Sequence, residues 1–405
     1  MKFTTLKQWM LVCSLVVIVA LIGCSKEIFF EDEAVVIDEV NAKEFPIELY
    51  VLEEVNFGKY EPEQGIYTGA YVQKDKYIHG DLLAYEELTG QTQTFKVFTY
   101  NSEEGISKQD ILKCIAQKKT PYIKLVLKED YDLTPLYQLI FDLKLSYHTP
   151  IFIELYPLTE KEYKVSQYKE TYQRAYEILH KYLSDIVVVW STDEARICDM
   201  ALYYPGNGYV DWAGVNVYIP RYKNGVRYVY EGTTQLDYWY KSFQNKKPML
   251  ISALAISHFS KVDHAYAIYE TQNKLMMFYN DVLMQYPRLR GIIYMDVDMA
   301  QISSIGKEDY SLLGEDGLCE TMKSLSMPLK IHGTLENEMR KSSCYMKYSI
   351  KASMIEEQLY IPQEYMALCF KDVPLRKLRH FEDLGGAIYY AYDDIKEYCT
   401  TYYKA

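Results

Sequence analysis

The chain has 405 residues, a formal net charge of −12, and 25% charged against 49% hydrophobic residues. That balance describes a folded protein with a sizeable core and excludes a disordered chain. Its acidity argues against nucleic acid as a partner and against electrostatic docking on anionic lipid.

In chain order, the first signal is a basic start, Lys2 and Lys7, followed by an uncharged apolar stretch from Met10 to Ile22. That stretch is shorter than the ~20 residues a membrane span needs but suits the apolar region of a signal peptide. It ends in Leu21-Ile22-Gly23-Cys24, which resembles the lipobox of bacterial lipoproteins. The resemblance implies that residues 1–23 are a lipoprotein signal peptide and that Cys24 becomes a lipidated N-terminus. The protein is then expected on the extracytoplasmic face of the cell membrane, held by its lipid anchor alone. An ordinary secretory signal with an incidental cysteine is the alternative.

Of eight cysteines, Cys13 would leave with the signal and Cys24 would carry lipid. Cys114, Cys198, Cys319, Cys344, Cys369 and Cys399 are far apart, without C-x-x-C pairs or partnered histidine spacing. No metal and no cofactor is expected. Export permits a disulfide among the last three, and spacing does not pair them. Tyrosine is unusually frequent, 42 against 14 phenylalanines. Genome bias explains this as well as a sugar-facing surface does, since a tyrosine ring packs while its hydroxyl stays polar.

Residues 24–48 read as an acidic linker. Beyond them, β-branched apolar runs alternate with helical patterns. The runs are Thr68 to Val72, Phe95 to Tyr100, Tyr122 to Leu127, Ile151 to Glu154, Ile186 to Trp190, Trp212 to Tyr218, Met249 to Ala253 and Gly291 to Met295. Thr134-Pro135 offers a helix start, with Leu136, Leu139, Ile140 and Leu143 on one face. Tyr168, Tyr172, Ala175, Leu179 and Tyr182 form a second stripe, and Leu275, Phe278, Tyr279 and Val282 a third. Eight strands with intervening helices predict an α/β fold, a (β/α)8 barrel over 49–327. A doubly wound open sheet is the alternative, but no Gly-rich phosphate loop follows the first strand. Residues 328–405 are expected to form a small α+β domain.

Working residues of such barrels stand at the C-terminal ends of strands. Here those ends offer Glu154, Tyr156, Trp190, Asp193, Tyr218, His258, Tyr294 and Asp296. Carboxylates beside aromatic rings suit carbohydrate chemistry, in which acids move protons and rings stack on sugars. For each ring, ordinary packing is the alternative. Trp190, Tyr218, His258, Tyr294 and Asp296 are the expected substrate-binding set.

Several segments resemble glycoside hydrolase family 26. Val189-Trp190-Ser191, Tyr203-Tyr204-Pro205-Gly206 and Val210 to Tyr218 are similar to its fifth and sixth strand regions. Lys247-Pro248-Met249-Leu250-Ile251-Ser252 resembles its seventh strand, and Tyr286-Pro287-Arg288 with Gly291 to Tyr294 its eighth. Gly65 to Tyr71 and Leu88-Thr89-Gly90 fit its start. The likeness covers about residues 60 to 310 and implies a (β/α)8 barrel of the β-mannanase and endo-glucanase kind. In that family one glutamate follows strand four and another sits on strand seven, and together they hydrolyse with retention.

Carried over residue by residue, the resemblance puts Ala253 at the nucleophile position and Leu158 at the acid/base position. Neither side chain can attack carbon or donate a proton, so no catalytic residue is expected. A local shift would return Glu154 or Glu160 to the site, and Glu154 with Asp296 or Asp298 is the fallback pair. The expected function is a pseudoenzyme that binds polysaccharide or cell-wall glycan. An active glycosidase using displaced carboxylates and a purely structural or interaction lipoprotein are the alternatives. At the C-terminus, Leu359-Tyr360-Ile361-Pro362 and Gly386 to Tyr390 each precede a helical pattern. This tail resembles the small module named for the N-terminal domain of copper amine oxidases, and a generic α+β accessory domain fits equally.

Overall fold

The computed structural model describes residues 43–405, apart from 102, 104, 145–148, 231, 326–328 and 337–340. Cys24 and the signal stretch lie outside the described residues. The chain divides into two compact units, one of residues 52–347 and one that combines its described residues up to 51 with 348–405.

The larger unit is a closed barrel of eight parallel strands. They are β2 (Ile66–Tyr71), β3 (Phe95–Thr99), β4 (Thr120–Leu125), β5 (Ile151–Leu155), β6 (Ile186–Asp193), β7 (Trp212–Ile219), β8 (Met249–Ile256) and β9 (Leu289–Met295). Each pairs with the next, and β9 returns to β2 through Gly291–Tyr67 to Met295–Tyr71, which closes the ring. A short strand, Ile331–His332, adds to the start of β2.

The helical stripes read from sequence are the buried faces of helices, except that Tyr182, at the end of the second stripe, is exposed. Helix Thr134–Lys144 buries Leu136, Leu139, Ile140 and Leu143, and helix Val165–Tyr182 buries Tyr168, Tyr172, Ala175 and Leu179. Leu275, Phe278, Tyr279 and Val282 are buried along the helical stretch that begins at Ile268.

Because successive strand residues point to opposite faces, the barrel separates two cores. Val188, Trp190, Val215, Val217, Leu254, Ile256 and Tyr294 face outward with the helices. Tyr67, Phe95, Tyr122, Phe152, Trp212, Leu250 and Ile293 fill the interior. Interior rings pack edge-on and tilted, with centroids 5.6 Å apart for Tyr67–Phe95, 4.8 Å for Phe95–Phe152 and 5.6 Å for Phe152–Trp212. The lower barrel is therefore packed with rings, and a polar layer lies above them.

The smaller unit contains the start of β1 (Glu44–Asn56), the end of β10 (Lys341–Ile355), β11 (Gln358–Pro362), β12 (His380–Glu382), β13 (Ile388–Ala391) and β14 (Thr401–Lys404). They form one sheet in the order β12-β13-β11-β10-β1-β14. Helices Gln363–Cys369 and Tyr392–Ile395 follow β11 and β13 directly, so the strand-then-helix pattern occurs twice. The sheet also claims residues 44–48, which the sequence reading assigned to the linker. Acidic composition there hides a strand in which Ile47, Leu49, Tyr50 and Val51 are buried.

Candidate functional site

Above the aromatic interior lies a polar layer centred on Glu154, which is fully buried on β5. Lys124 Nζ stands 2.7 Å from Glu154 Oε2, and the Tyr122 hydroxyl donates to the same oxygen at 3.1 Å. Ser191 donates to Oε1 at 2.6 Å and Asn216 Nδ2 at 3.2 Å. Asn216 is fixed in turn by Ser252, whose hydroxyl donates to Asn216 Oδ1 at 2.8 Å. Gly214 makes room for this arrangement, because a Cβ there would meet Ser252 Oγ at 2.8 Å and Ser191 Cβ at 2.9 Å.

One step higher the layer opens into a pocket of about 680 Å3 at the C-terminal mouth of the barrel. Its floor is Asn216 and Asp193, joined by a 3.2 Å hydrogen bond from Asn216 Nδ2 to Asp193 Oδ1. Tyr218, two residues beyond Asn216 on the same face of β7, stands on the wall with 43% of its surface exposed. Glu194 follows Asp193 and accepts from the Tyr230 hydroxyl at 3.0 Å. Glu160 and Lys223 close one side as a 2.6 Å ion pair.

Burial raises both consecutive acids. Asp193 is pushed up to about 6, against the opposing pull of the Asn216 hydrogen bond and Lys124. Glu194 is pushed up to about 7, with the Tyr230 hydroxyl and Lys223 pulling the other way.

Of the expected substrate-binding residues, only Tyr218 lines this pocket. Trp190 is fully buried on the outer face of β6, donating from Nε1 to the Tyr168 hydroxyl at 3.0 Å and packing on Tyr204. Tyr294 and Asp296 share a face, as their spacing requires, but both are fully buried. Tyr294 faces outward and donates to the Tyr310 carbonyl at 2.9 Å, and Asp296 accepts the Leu312 amide. Burial pushes the Asp296 carboxyl well above the usual carboxylate range. His258 is 1% exposed beside Asp309, with Nε2 3.8 Å from Oδ2, and burial lowers its pKa below the usual value. The physical reason is parity. One residue along a strand exchanges cleft for helix layer.

The fallback acids do not meet in the pocket either. Glu154 lies beneath the pocket with all its partners taken, and Asp298 caps the helix Met299–Ile302 through the Gln301 amide at 3.1 Å. Ala253 faces the barrel interior at a register shift of β8, where it pairs with Asn216. Leu158 extends β5 by a bridge to Thr192 and is buried in the outer core. Asn216, Glu194 and Tyr230 were missed by the sequence reading. Asn216 lies on the face shared by Trp212, Gly214 and Tyr218, a signal that period-two counting would have found.

Among the described residues no group of His, Cys, Asp and Glu is arranged to hold a metal ion, and no helix is long and apolar enough to cross a membrane. Cys114, Cys198, Cys319, Cys344, Cys369 and Cys399 all carry free thiols.

Strand closure and a polar mouth define a (β/α)8 barrel with its cleft at the carboxyl ends of the strands. Within the barrel, residues 158–238 match the family described as glycosyl hydrolase family 26. A family 26 β-mannanase from Bacteroides ovatus is 11% identical, with 68% of this chain and 92% of that one covered and a TM-score of 0.46. A double mutant of the Cellulomonas fimi endo-β-1,4-mannanase is 12% identical over 69% of this chain and 77% of its own, with a TM-score of 0.46. An engineered protein solved at 1.98 Å is 11% identical over 68% and 76%, with a TM-score of 0.48. No curated protein matches.

Proposed function

We propose that this chain is a lipid-anchored extracytoplasmic protein whose barrel binds saccharide at its mouth and does not run the two-carboxylate retaining mechanism of family 26. The observation that carries the reading is the pocket itself. A half-exposed ring, Tyr218, stands over Asn216 and two acids at the carboxyl ends of β6 and β7. Pockets with a ring to stack on and few oriented polar groups suit sugars, and they persist when chemistry is lost. Loss of that mechanism is supported by Ala253 on the inward face of β8 and by Leu158 in the outer core. A methyl group there offers no nucleophile.

The test is calorimetric titration of oligosaccharides, including mannan and cell-wall fragments, into the wild type and into Tyr218→Ala, with folding checked by circular dichroism. Binding that weakens at least tenfold in the folded variant supports the reading. Absence of binding, or binding untouched by the substitution, would favour a purely interacting lipoprotein. Mannan and mixed-linkage glucan are expected to remain uncleaved.

A further inference from the structure

The pocket holds two consecutive carboxyl groups that the family 26 positions do not account for. Asp193 ends β6 and Glu194 opens the short helix Glu194–Asp199. Among the described residues neither is ion-paired. Each takes one side-chain hydrogen bond, from Asn216 and from Tyr230, and keeps a carboxyl oxygen free of such bonds. The Tyr218 hydroxyl has no hydrogen-bond partner among the described residues and stands on a half-exposed ring in the pocket wall, open to a ligand. A cavity lined by the Tyr218 hydroxyl, Glu194 and Asp193 offers a donor, an acid and a carboxylate to a ligand bearing an acceptor, a leaving oxygen and an N–H.

What the mouth lacks is a nucleophile on β8, where Ala253 stands. A glycoside can supply its own if C2 carries an acetamido group trans to the leaving group. Resting on the saccharide-binding reading above, we propose that this pocket hydrolyses 1,2-trans 2-acetamido-2-deoxyglycosides by substrate assistance. Glu194 is the proton donor, Asp193 accepts the acetamido N–H, and Tyr218 donates to the acetamido oxygen.

In the first step Glu194 protonates the glycosidic oxygen, the C1–O bond breaks, and the aglycone leaves as an alcohol. The acetamido carbonyl oxygen attacks C1 from the opposite face, forming a bicyclic oxazolinium whose N–H is held by the Asp193 carboxylate. In the second step the Glu194 carboxylate takes a proton from water, which attacks C1. The C1–O bond of the ring breaks, the acetamide is restored, and Glu194 is again protonated. The sum is glycoside plus water giving hemiacetal plus alcohol with retained configuration, and no further reactant is needed.

Burial raises both carboxyls, Asp193 to about 6 and Glu194 to about 7, so Glu194 is the later of the two to ionise. Activity requires Asp193 ionised and Glu194 protonated, so the rate profile is a narrow bell between about pH 6 and pH 7.

The test uses the full chain purified in detergent, with 4-methylumbelliferyl N-acetyl-β-D-glucosaminide, the matching β-D-glucoside, and N,N′,N″-triacetylchitotriose. The acetamido substrate is expected to turn over and the glucoside not. N-acetylglucosamine thiazoline, a stable mimic of the bicyclic intermediate, is expected to compete. Glu194→Gln and Asp193→Asn are each expected to lower kcat/KM by ~100-fold or more, the usual size of a general acid or base contribution. Chitotriose that binds without being cleaved between pH 5 and pH 8 overturns this inference and leaves the saccharide-binding reading standing. No binding of any oligosaccharide overturns both. Equal cleavage of the glucoside, or no competition by the thiazoline on the wild type, also overturns the substrate-assisted route, whether or not the variants fold.

Discussion

A carboxylate enclosed in a barrel must be answered by a cation or by donors, and Glu154 has both. Lys124 lies 2.7 Å away, and three neutral donors surround the two oxygens. Removing one partner of such a pair strands the other in low dielectric, whereas replacing both is far milder. Lys124→Met is therefore expected to destabilise the barrel by ~3–5 kcal/mol in urea unfolding. Lys124→Met with Glu154→Leu should recover most of that loss; equal loss in the double variant would show that the pair is not the cause. Glu194 tests a different balance. Its folded pKa of about 7 lies above the ~4.3 of an unfolded glutamate, so the native state holds more protons between those values. Stability from this group is full below pH ~4.3 and is lost as pH rises through about 7. Glu194→Gln, which cannot ionise, should flatten that decline in guanidinium titrations at pH 5 and pH 7.5. An unchanged slope would mean that Glu194 is solvated.

At the scale of the element, what could be read from sequence follows the period of each segment. The helical stripes at 136–143, 168–179 and 275–282 were legible because each faces a single core. Barrel strands are buried on both faces, so their apolar runs show where a strand is and not which residues point in. That is why Trp190 and Tyr294 look like cleft rings in the sequence and are outer-layer rings in the fold. Two hairpins on the mouth carry no such period at all. Arg221 grips Asp263 with Nη1 and Nη2, both at 2.8 Å, tying the Tyr222–Lys223/Val226–Arg227 hairpin to the turn between Phe259–Ser260 and Ala265–Tyr266. Bidentate pairs of this kind fix orientation as well as energy. Asp263→Ala is expected to speed amide hydrogen exchange in residues 222–228 and 259–266 while leaving β5 to β7 protected. Uniform exchange across the barrel would mean that the contact supports global stability and not the rim. Because Tyr228 and Tyr230 follow the first hairpin into the pocket wall, the same variant should also weaken oligosaccharide binding.

For the molecule as a whole, composition and periodicity disclosed a barrel and an added α+β part, but not where one unit gives way to the other. The boundary falls within two long strands, β1 and β10, which no run of glycine, proline or serine announces. Acidic residues on the exposed faces of β1 gave it the composition of a tether. What remains of the proposed tether runs from Cys24 to the residue before Glu44. Several acyl chains at ~0.8 kcal/mol per buried CH2 would hold the protein without any spanning helix. An acidic chain would gain nothing from anionic headgroups. Attachment should therefore depend on one sulfur atom and be insensitive to salt. In cells of the source type, Cys24→Ser is expected to abolish incorporation of radiolabelled palmitate and to shift the protein out of the membrane pellet. The wild type should stay in the pellet through a 1 M salt wash, which screens charge beyond ~3 Å. Palmitate incorporated equally by Cys24→Ser would sink the anchor, and release of the wild type by salt would assign its membrane association to charge.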